Sequence, residues 1–336
     1  MVGLGDAGGS TVYVTRMNDD LHVLFGAGQV GPGLARALRE RGHRVRVVKR
    51  APADLPPGVE LQRGDASDRA FCITAAAGAT VVYHCMNPPY DRTQWARLVP
   101  LYMGNLIEAA AAAGARLVVL DNLYMLGRTG GRPMTGDTPM RPCSRKGEIR
   151  ARAAEALLEA HARGRVQAVT GRASDYYGPG GTLTHFGDQF WKPALAGRTT
   201  RMTVNLDLPH TYHYIPDVVA GLAALGRGPE NITGRAWMLP CAPAETTRQV
   251  VARFARALGR QIRVARLPRL LLRVIGLGIP LVREVDEMLY QWDEPFIVDD
   301  GPMRTELGVT PVDPDFAARE TVTWAVAWYG RRSATT

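Results

Sequence analysis

The chain has 336 residues, 46% hydrophobic and 22% charged, with 41 Lys+Arg against 32 Asp+Glu and a formal net charge of +9. That is enough apolar material for one large domain or a core with a smaller lobe, and 36 dispersed glycines exclude a fibrous or low-complexity chain. The basic residues are scattered and nearly all arginine, with no basic tail, arginine-rich helix or RNA-binding aromatic motif, so the positive field points to an anionic cofactor and not to nucleic acid.

Residues 1–20 are polar and glycine-rich, lack the apolar core of a signal peptide, and read as a flexible extension, with Met17 an alternative start. Leu21–Phe25 is a short buried strand that runs into Gly26-Ala-Gly28-Gln29-Val30-Gly31-Pro-Gly33. A helix follows in which Leu34 and Leu38 share a face and Gly42 supplies the stop. Val45–Val48 is a second strand and completes a β-α-β unit. Strands at Val81–His84 and Leu117–Leu120 flank a helix through Leu106–Ala113, and a long helix from Glu148 to Ala162 leads to a strand at Val166–Thr170. Strands separated by helices predict an α/β fold, a doubly wound parallel sheet covered on both faces.

Beyond Gly178 the pattern loosens into loops, aromatic residues and short helices. Residues 21–180 are therefore expected to form the core, and 181–336 mainly a smaller mixed lobe with some segments returning to it. Leu270–Val282, broken by Arg273 and Pro280, reads as an amphipathic or core-facing helix, and no apolar run is long enough to span a bilayer. Cys72, Cys85, Cys143 and Cys241 show no paired spacing and no histidine cluster, which predicts neither disulfides nor a metal site and suits a reducing cytoplasm.

Glycines 26, 28 and 31 match G-x-G-x-x-G between a strand and a helix. The first permits the tight turn, the second lets a pyrophosphate approach the backbone, and the third lets helix and strand pack closely. Gln29 and Val30 lie in the same turn, where free N–H groups at the helix start would face the anion. An NAD-selective site wants a carboxylate at the end of the second strand. Lys49-Arg50 stand there instead, a cation pair suited to a 2′-phosphate, so NADPH/NADP+ is the expected cofactor.

Six further segments occur in one order: Gly64-Asp65-Ala66, Val82 to Asn87, Asn105 to Ala109, Arg172 to Gly180, Tyr214 to Val219 and Leu307 to Pro311. Together they make nearly the whole chain resemble the extended and atypical branch of the short-chain dehydrogenase/reductase superfamily, the NAD-dependent epimerase/dehydratase-like enzymes with a Rossmann core. The resemblance implies that Asp65 and Ala66 meet the adenine, that Cys85, Met86 and Asn87 run under the cofactor, and that Ala173 and Ser174 flank the nicotinamide. It also places the family's catalytic Ser/Thr at Asn122.

The family's Tyr-x-x-x-Lys should open the long helix, but the segment reads Pro142-Cys-Ser-Arg-Lys146, keeping a lysine and losing the tyrosine. In this respect the chain resembles tyrosine-less aromatic polyketide (angucyclinone-type) ketoreductases. Lys146 would then bind the ribose and bias the local field, while Asn122, Tyr124, Ser144 and Lys146 are the candidates for catalysis. A substrate-derived proton is the other route: a phenol beside the ketone passes its proton across as hydride arrives. Tyr90, Met125, His185, Phe186, Trp191 and Tyr212 are expected to line a pocket for a flat aromatic ketone.

Nucleotide-sugar relatives place a diphosphate-binding arginine seven residues before the aspartate that Asp217 matches, where this chain has His210. The expected protein is a cytoplasmic reductase, monomeric or homodimeric. A nucleotide-sugar epimerase or dehydratase and a non-catalytic NADP-binding sensor are the alternatives.

Overall fold

The computed structural model describes residues 18–268 and 284–333. The residues before Asn18 and the apolar stretch Leu270–Val282 lie outside these. Seven strands form one parallel sheet: β1 (Asn18–Phe25), β2 (His43–Lys49), β3 (Glu60–Arg63), β4 (Ala79–His84), β5 (Arg116–Asp121), β6 (Ala168–Arg172) and β11 (Ala236–Met238), in the order β11-β6-β5-β4-β1-β2-β3. The order reverses between β1 and β4, which opens a crevice at their carboxyl ends, the usual place for a dinucleotide in such sheets. Val23, Leu24 and Phe25 of β1 are each fully buried, as a central strand covered on both faces requires.

Each predicted strand forms, with shifted ends. β1 starts at Asn18, inside the segment expected to be a loose extension. β6 begins two residues later than Val166 because its register against β5 opens with Leu117 opposite Ala168. β3 has no expected counterpart: its Glu-Leu-Gln-Arg is polar because it pairs on one side only, at the sheet's edge.

Helices α2 (Arg69–Ala76), α3 (Arg92–Ala113) and α4 (Arg145–Ala162) cover one face, packing Trp95, Leu106 and Leu157 against the sheet. Helices α1 (Gly31–Glu40) and α6 (Ile215–Arg227) cover the other with Leu34, Leu38, Val218 and Leu222. α3 is fixed at both ends, by the Asp91 side chain accepting from Gln94 N at 2.8 Å and by Gly114 in the left-handed region at φ 63°. α6 and β11 come from the carboxyl half yet join the central sheet. The lobe has its own core, in which Phe186, Phe190, Trp191, Tyr212 and Phe254 pack together. No helix among the described residues is long and apolar enough to cross a membrane.

Candidate active site

The glycine turn closes the end of β1. Gly26 holds φ 110°, and a side chain there would press on the Cys85 carbonyl 2.7 Å away. A methyl on Gly31 would collide with the Gly26 carbonyl, so these two glycines pack turn, helix and strand together. Gly28 differs: a methyl there would meet nothing within 4 Å. The turn therefore holds open the space a pyrophosphate would need. α1 starts beside it with Val30 as an N-cap that makes no side-chain bond and with no acidic residue in the first turn, so its positive end faces the crevice without a built-in counter-charge. The Gln29 amide oxygen accepts from Leu183 N at 2.9 Å and ties this turn to the lobe.

Lys49 ends β2 half-buried, and Arg50 is exposed with a guanidinium nitrogen 4.0 Å from Asp65. The backbone N–H of Ser67, foremost, holds the Asp65 carboxyl below its ordinary range. The Ala66 carbonyl accepts from the Asn105 side chain of α3 at 2.9 Å, which fixes the turn expected to meet adenine. The open space at Gly28, the Lys49-Arg50 cations and the Asp65 carboxylate fit the chemistry of a nicotinamide dinucleotide.

Beside the segment expected to run under the cofactor, Arg150 of α4 is almost fully buried. It donates to the Asn87 side chain at 2.5 Å, lies 3.3 Å from Asp121, and stacks over Trp95 with its guanidinium carbon 4.8 Å from the ring centre. Burial, with Arg150 beside it, pulls the His84 imidazole down to about 3, so His84 is neutral and its Nδ1 accepts from Met86 N at 3.2 Å. Burial lifts the Cys85 thiol to about 12. Ala173 N donates to the Asp121 carbonyl at 3.0 Å, drawing the Arg172–Ser174 segment against the same point.

The four catalytic candidates are each engaged within the protein. The Asn122 side chain accepts from Tyr124 N at 3.0 Å, and Asn122 N donates to Asp121 at 2.8 Å. Ser144 is the N-cap of α4, its hydroxyl accepting from Gly147 N at 3.0 Å. Tyr124 stacks on Trp95, and burial raises its phenol to about 12. Lys146 has no exposed side-chain surface: its ammonium donates to the Glu284 carboxylate, to Glu287 Oε2 at 2.9 Å and to the Glu284 carbonyl at 3.3 Å, and lies 4.8 Å from the centre of the Tyr90 ring. Lys146 thus faces the lobe, and Arg150, one turn on, is the cation that reaches the segment expected under the cofactor.

On the lobe side, Asp175 accepts from His210 Nε2 at 2.8 Å and lies 3.5 Å from His185 Nε2, with the Ser174 hydroxyl 3.3 Å from His210. Burial works to raise this carboxyl, but the hydrogen bond from His210 and the neighbouring histidines outweigh it, and the net shift is downward. His210 is 1% exposed and lies parallel to Trp292 and Phe296, at ring separations of 4.6 and 5.1 Å. Ser174 N donates to His213 Nδ1 at 3.0 Å, and burial lowers that imidazole to about 4.

Tyr90 and His185, both partly exposed, border this region. Phe186, Trp191 and Tyr212 are packed into the lobe core, and Met125 is buried in a separate cluster with Leu123 and Met134. The structure does not gather these four with Tyr90 and His185. Arg150, Glu284, Glu287 and Trp292 escaped the sequence reading. Only Arg150 had a local signal that could have found it, its spacing of one helical turn from Lys146.

Residues 23–239 match the model of the NAD dependent epimerase/dehydratase family. The chain is 33% identical over 124 residues to a 3-diazoavenalumate denitrifying reductase from Streptomyces sp, covering 34% of this chain and 41% of that one. It is 43% identical over 64 residues to a 3 beta-hydroxysteroid dehydrogenase/Delta 5-->4-isomerase of Mycobacterium tuberculosis, 18% of this chain and 17% of that one. The matches thus span less than half the length of these curated relatives. Among solved structures, it is similar to UDP-glucuronic acid 4-epimerase from Bacillus cereus in complex with NAD, with TM-score 0.74 and 15% identity over 92% of this chain and 99% of that one. It is also similar to the dTDP-glucose 4,6-dehydratase DesIV from Streptomyces venezuelae, with TM-score 0.72 and 18% identity over 93% and 98%. At these identities the structural likeness shows the fold.

Proposed function

The chain belongs to the NAD dependent epimerase/dehydratase family, and from that footing we propose that it is an NADPH-dependent ketoreductase acting on a bulky aromatic ketone. Lys49 and Arg50 would hold the 2′-phosphate, the Gly26–Gly31 turn the pyrophosphate, Asp65 and Ala66 the adenosine, and Asn87, Ala173 and Ser174 the nicotinamide end. NADPH, when bound, supplies the hydride.

The observation that carries the reading is the state of the candidate donors. The Lys146 ammonium is committed to Glu284 and Glu287, the Tyr124 phenol is raised to about 12, and Asn122 Oδ1 and Ser144 Oγ each accept a backbone N–H, Ser144 as the cap of α4. A site built this way suits a substrate that carries its own proton. In a ketone with a neighbouring phenol, a C–H bond forms at the carbonyl carbon and the C=O π pair moves onto oxygen. The phenolic O–H breaks, its proton passes to the new alkoxide, and the phenolate is reprotonated afterwards. The nucleotide-sugar alternative is disfavoured where a diphosphate would need a cation: a stacked histidine stands there, hydrogen-bonded to the Asp175 carboxylate.

A second reading is favoured by the same lack of a helix-borne phenol together with the Streptomyces relative. Hydride addition to a diazonium carbon with loss of N2 needs no proton donor at all.

The test is NADPH oxidation with 8-hydroxy-1-tetralone and with 8-methoxy-1-tetralone, which lacks the transferable proton. The hydroxy ketone should turn over about a hundredfold faster, with NADPH preferred to NADH. Equal rates on the two ketones, or a wide preference for NADH, would overturn the reading.

A further inference from the structure

Asp175 lies between two histidines that differ in freedom. His210 is held immobile in its aromatic stack, 1% exposed, with Nε2 on Asp175 Oδ2 at 2.8 Å. His185 approaches the other carboxylate oxygen, Nε2 to Oδ1 3.5 Å, and keeps 26% of its side chain exposed. Its ring meets Trp292 edge-on at 4.7 Å, and among the described residues no hydrogen bond engages its Nδ1. A carboxylate fixed from behind that stands at ion-pair distance from one nitrogen of an imidazole, while the other nitrogen is left open, is the arrangement of a proton-transfer pair. The pair also adjoins the place where chemistry is expected, because Asp175 directly follows Ser174, whose hydroxyl lies 3.5 Å from Asp175 Oδ2.

Resting on the ketoreductase reading, we propose that His185, ion-paired with Asp175 and with His210 positioning Asp175, returns the proton that an ortho-hydroxylated substrate gives up during reduction. The step balances as follows. After hydride addition the phenolate oxygen takes the N–H proton of the protonated His185, the N–H bond breaks as the O–H bond forms, and neutral His185 regains one proton from solvent. One solvent proton is consumed per ketone reduced.

The titratable groups facing His185 and its partner are the Asp175 carboxylate, His210, His213 and the Tyr90, Tyr124 and Tyr212 phenols, with Ser174 and Trp292 neutral beside them. Burial pulls His185 below its ordinary value, Asp175 works against that shift, and His210 adds to it. Steady-state turnover should therefore fall as pH rises through a value below 6.5, the ordinary histidine value.

The test compares the first turnover with the steady state, using NADPH and 8-hydroxy-1-tetralone. In His185→Gln the first turnover at saturating ketone should change far less than the steady state, which drops about a hundredfold and loses its pH dependence. His185→Ala should regain steady-state rate when imidazole is added, which a merely structural histidine would not show. Asp175→Asn should reproduce the steady-state loss. An unchanged steady state in His185→Gln would hand the reprotonation to bulk water and sink the proposal. Loss of the first turnover would make His185 a direct donor and sink it equally. If the wild type oxidises no NADPH with this ketone, the ketoreductase reading fails, and this inference with it.

Discussion

Lys146 shows how far a residue's identity can be legible while its role is not. Its position near the start of a long helix is visible in the sequence, and a ribose contact is the natural expectation. Folding instead seals the ammonium between Glu284 and Glu287, which also accept from the backbone N–H groups of Arg92 and Arg145 at 3.1 and 2.6 Å, the first residues of α3 and α4. The two glutamates lie 138 and 141 residues further along the chain, and no local pattern announces them. Removing the cation strands two largely buried carboxylates, so Lys146→Met should lower unfolding free energy by about 3–5 kcal/mol. Chemical denaturation followed by circular dichroism measures this, and a loss below about 1 kcal/mol would mean that water reaches the pair freely.

Among the elements, the β-α-β unit was the most legible because each of its parts obeys a local rule: a short apolar strand, three spaced glycines, and a helix with Leu34 and Leu38 on one face. The polar edge strand β3 and the three-residue β11 carry no such pattern, and both form because a neighbouring strand offers free backbone groups. Phe186 and Trp191 misled for a related reason. An aromatic-rich stretch reads alike whether it lines a cavity or fills a core, and in this lobe Phe186 meets Phe254 edge to face while Trp191 tilts against it.

The glycine turn gives a prediction that separates folding from binding. Gly31→Ala forces a methyl into the Gly26 carbonyl and should lower both melting temperature and NADPH affinity. Gly28→Ala enters empty space, so its melting temperature should stay with the wild type while NADPH affinity falls by about tenfold or more. Differential scanning fluorimetry with and without NADPH distinguishes them. Unimpaired affinity in Gly28→Ala would move the pyrophosphate off this turn.

Across the whole molecule, Asp217 ties α6 to the chain leading into the last described helix, Pro314–Ser333, by accepting from Val312 N at 3.2 Å. Burial, chiefly, lifts this carboxyl from 3.8 to about 7, against the opposing pull of the Val312 N–H. The folded state therefore holds the proton longer than the unfolded chain. This contribution to stability is complete below pH 3.8, drains away as pH rises toward 7, and is flat beyond. The buried neutral His84 and His213, lowered to about 3 and 4, act in the opposite sense and lose stability as the solution is acidified below 6.5. The carboxyl term is isolated by subtraction. Asp217→Asn should gain on the wild type steadily between pH 4 and 7 in urea titrations, and a constant difference would show that the carboxyl titrates normally.

Ala236–Met238 seals the flank of β6, and α6 roofs the same side of the sheet. On the ribosome this means that β6 waits with one margin bare until some sixty further residues have emerged. A fragment ending near position 180 would carry a ready template for a second chain to dock against, together with the unroofed side chains of Val118 and Val169. Such a fragment should self-associate, so the amino half is not a freestanding unit, and the carboxyl half protects it from its own copies.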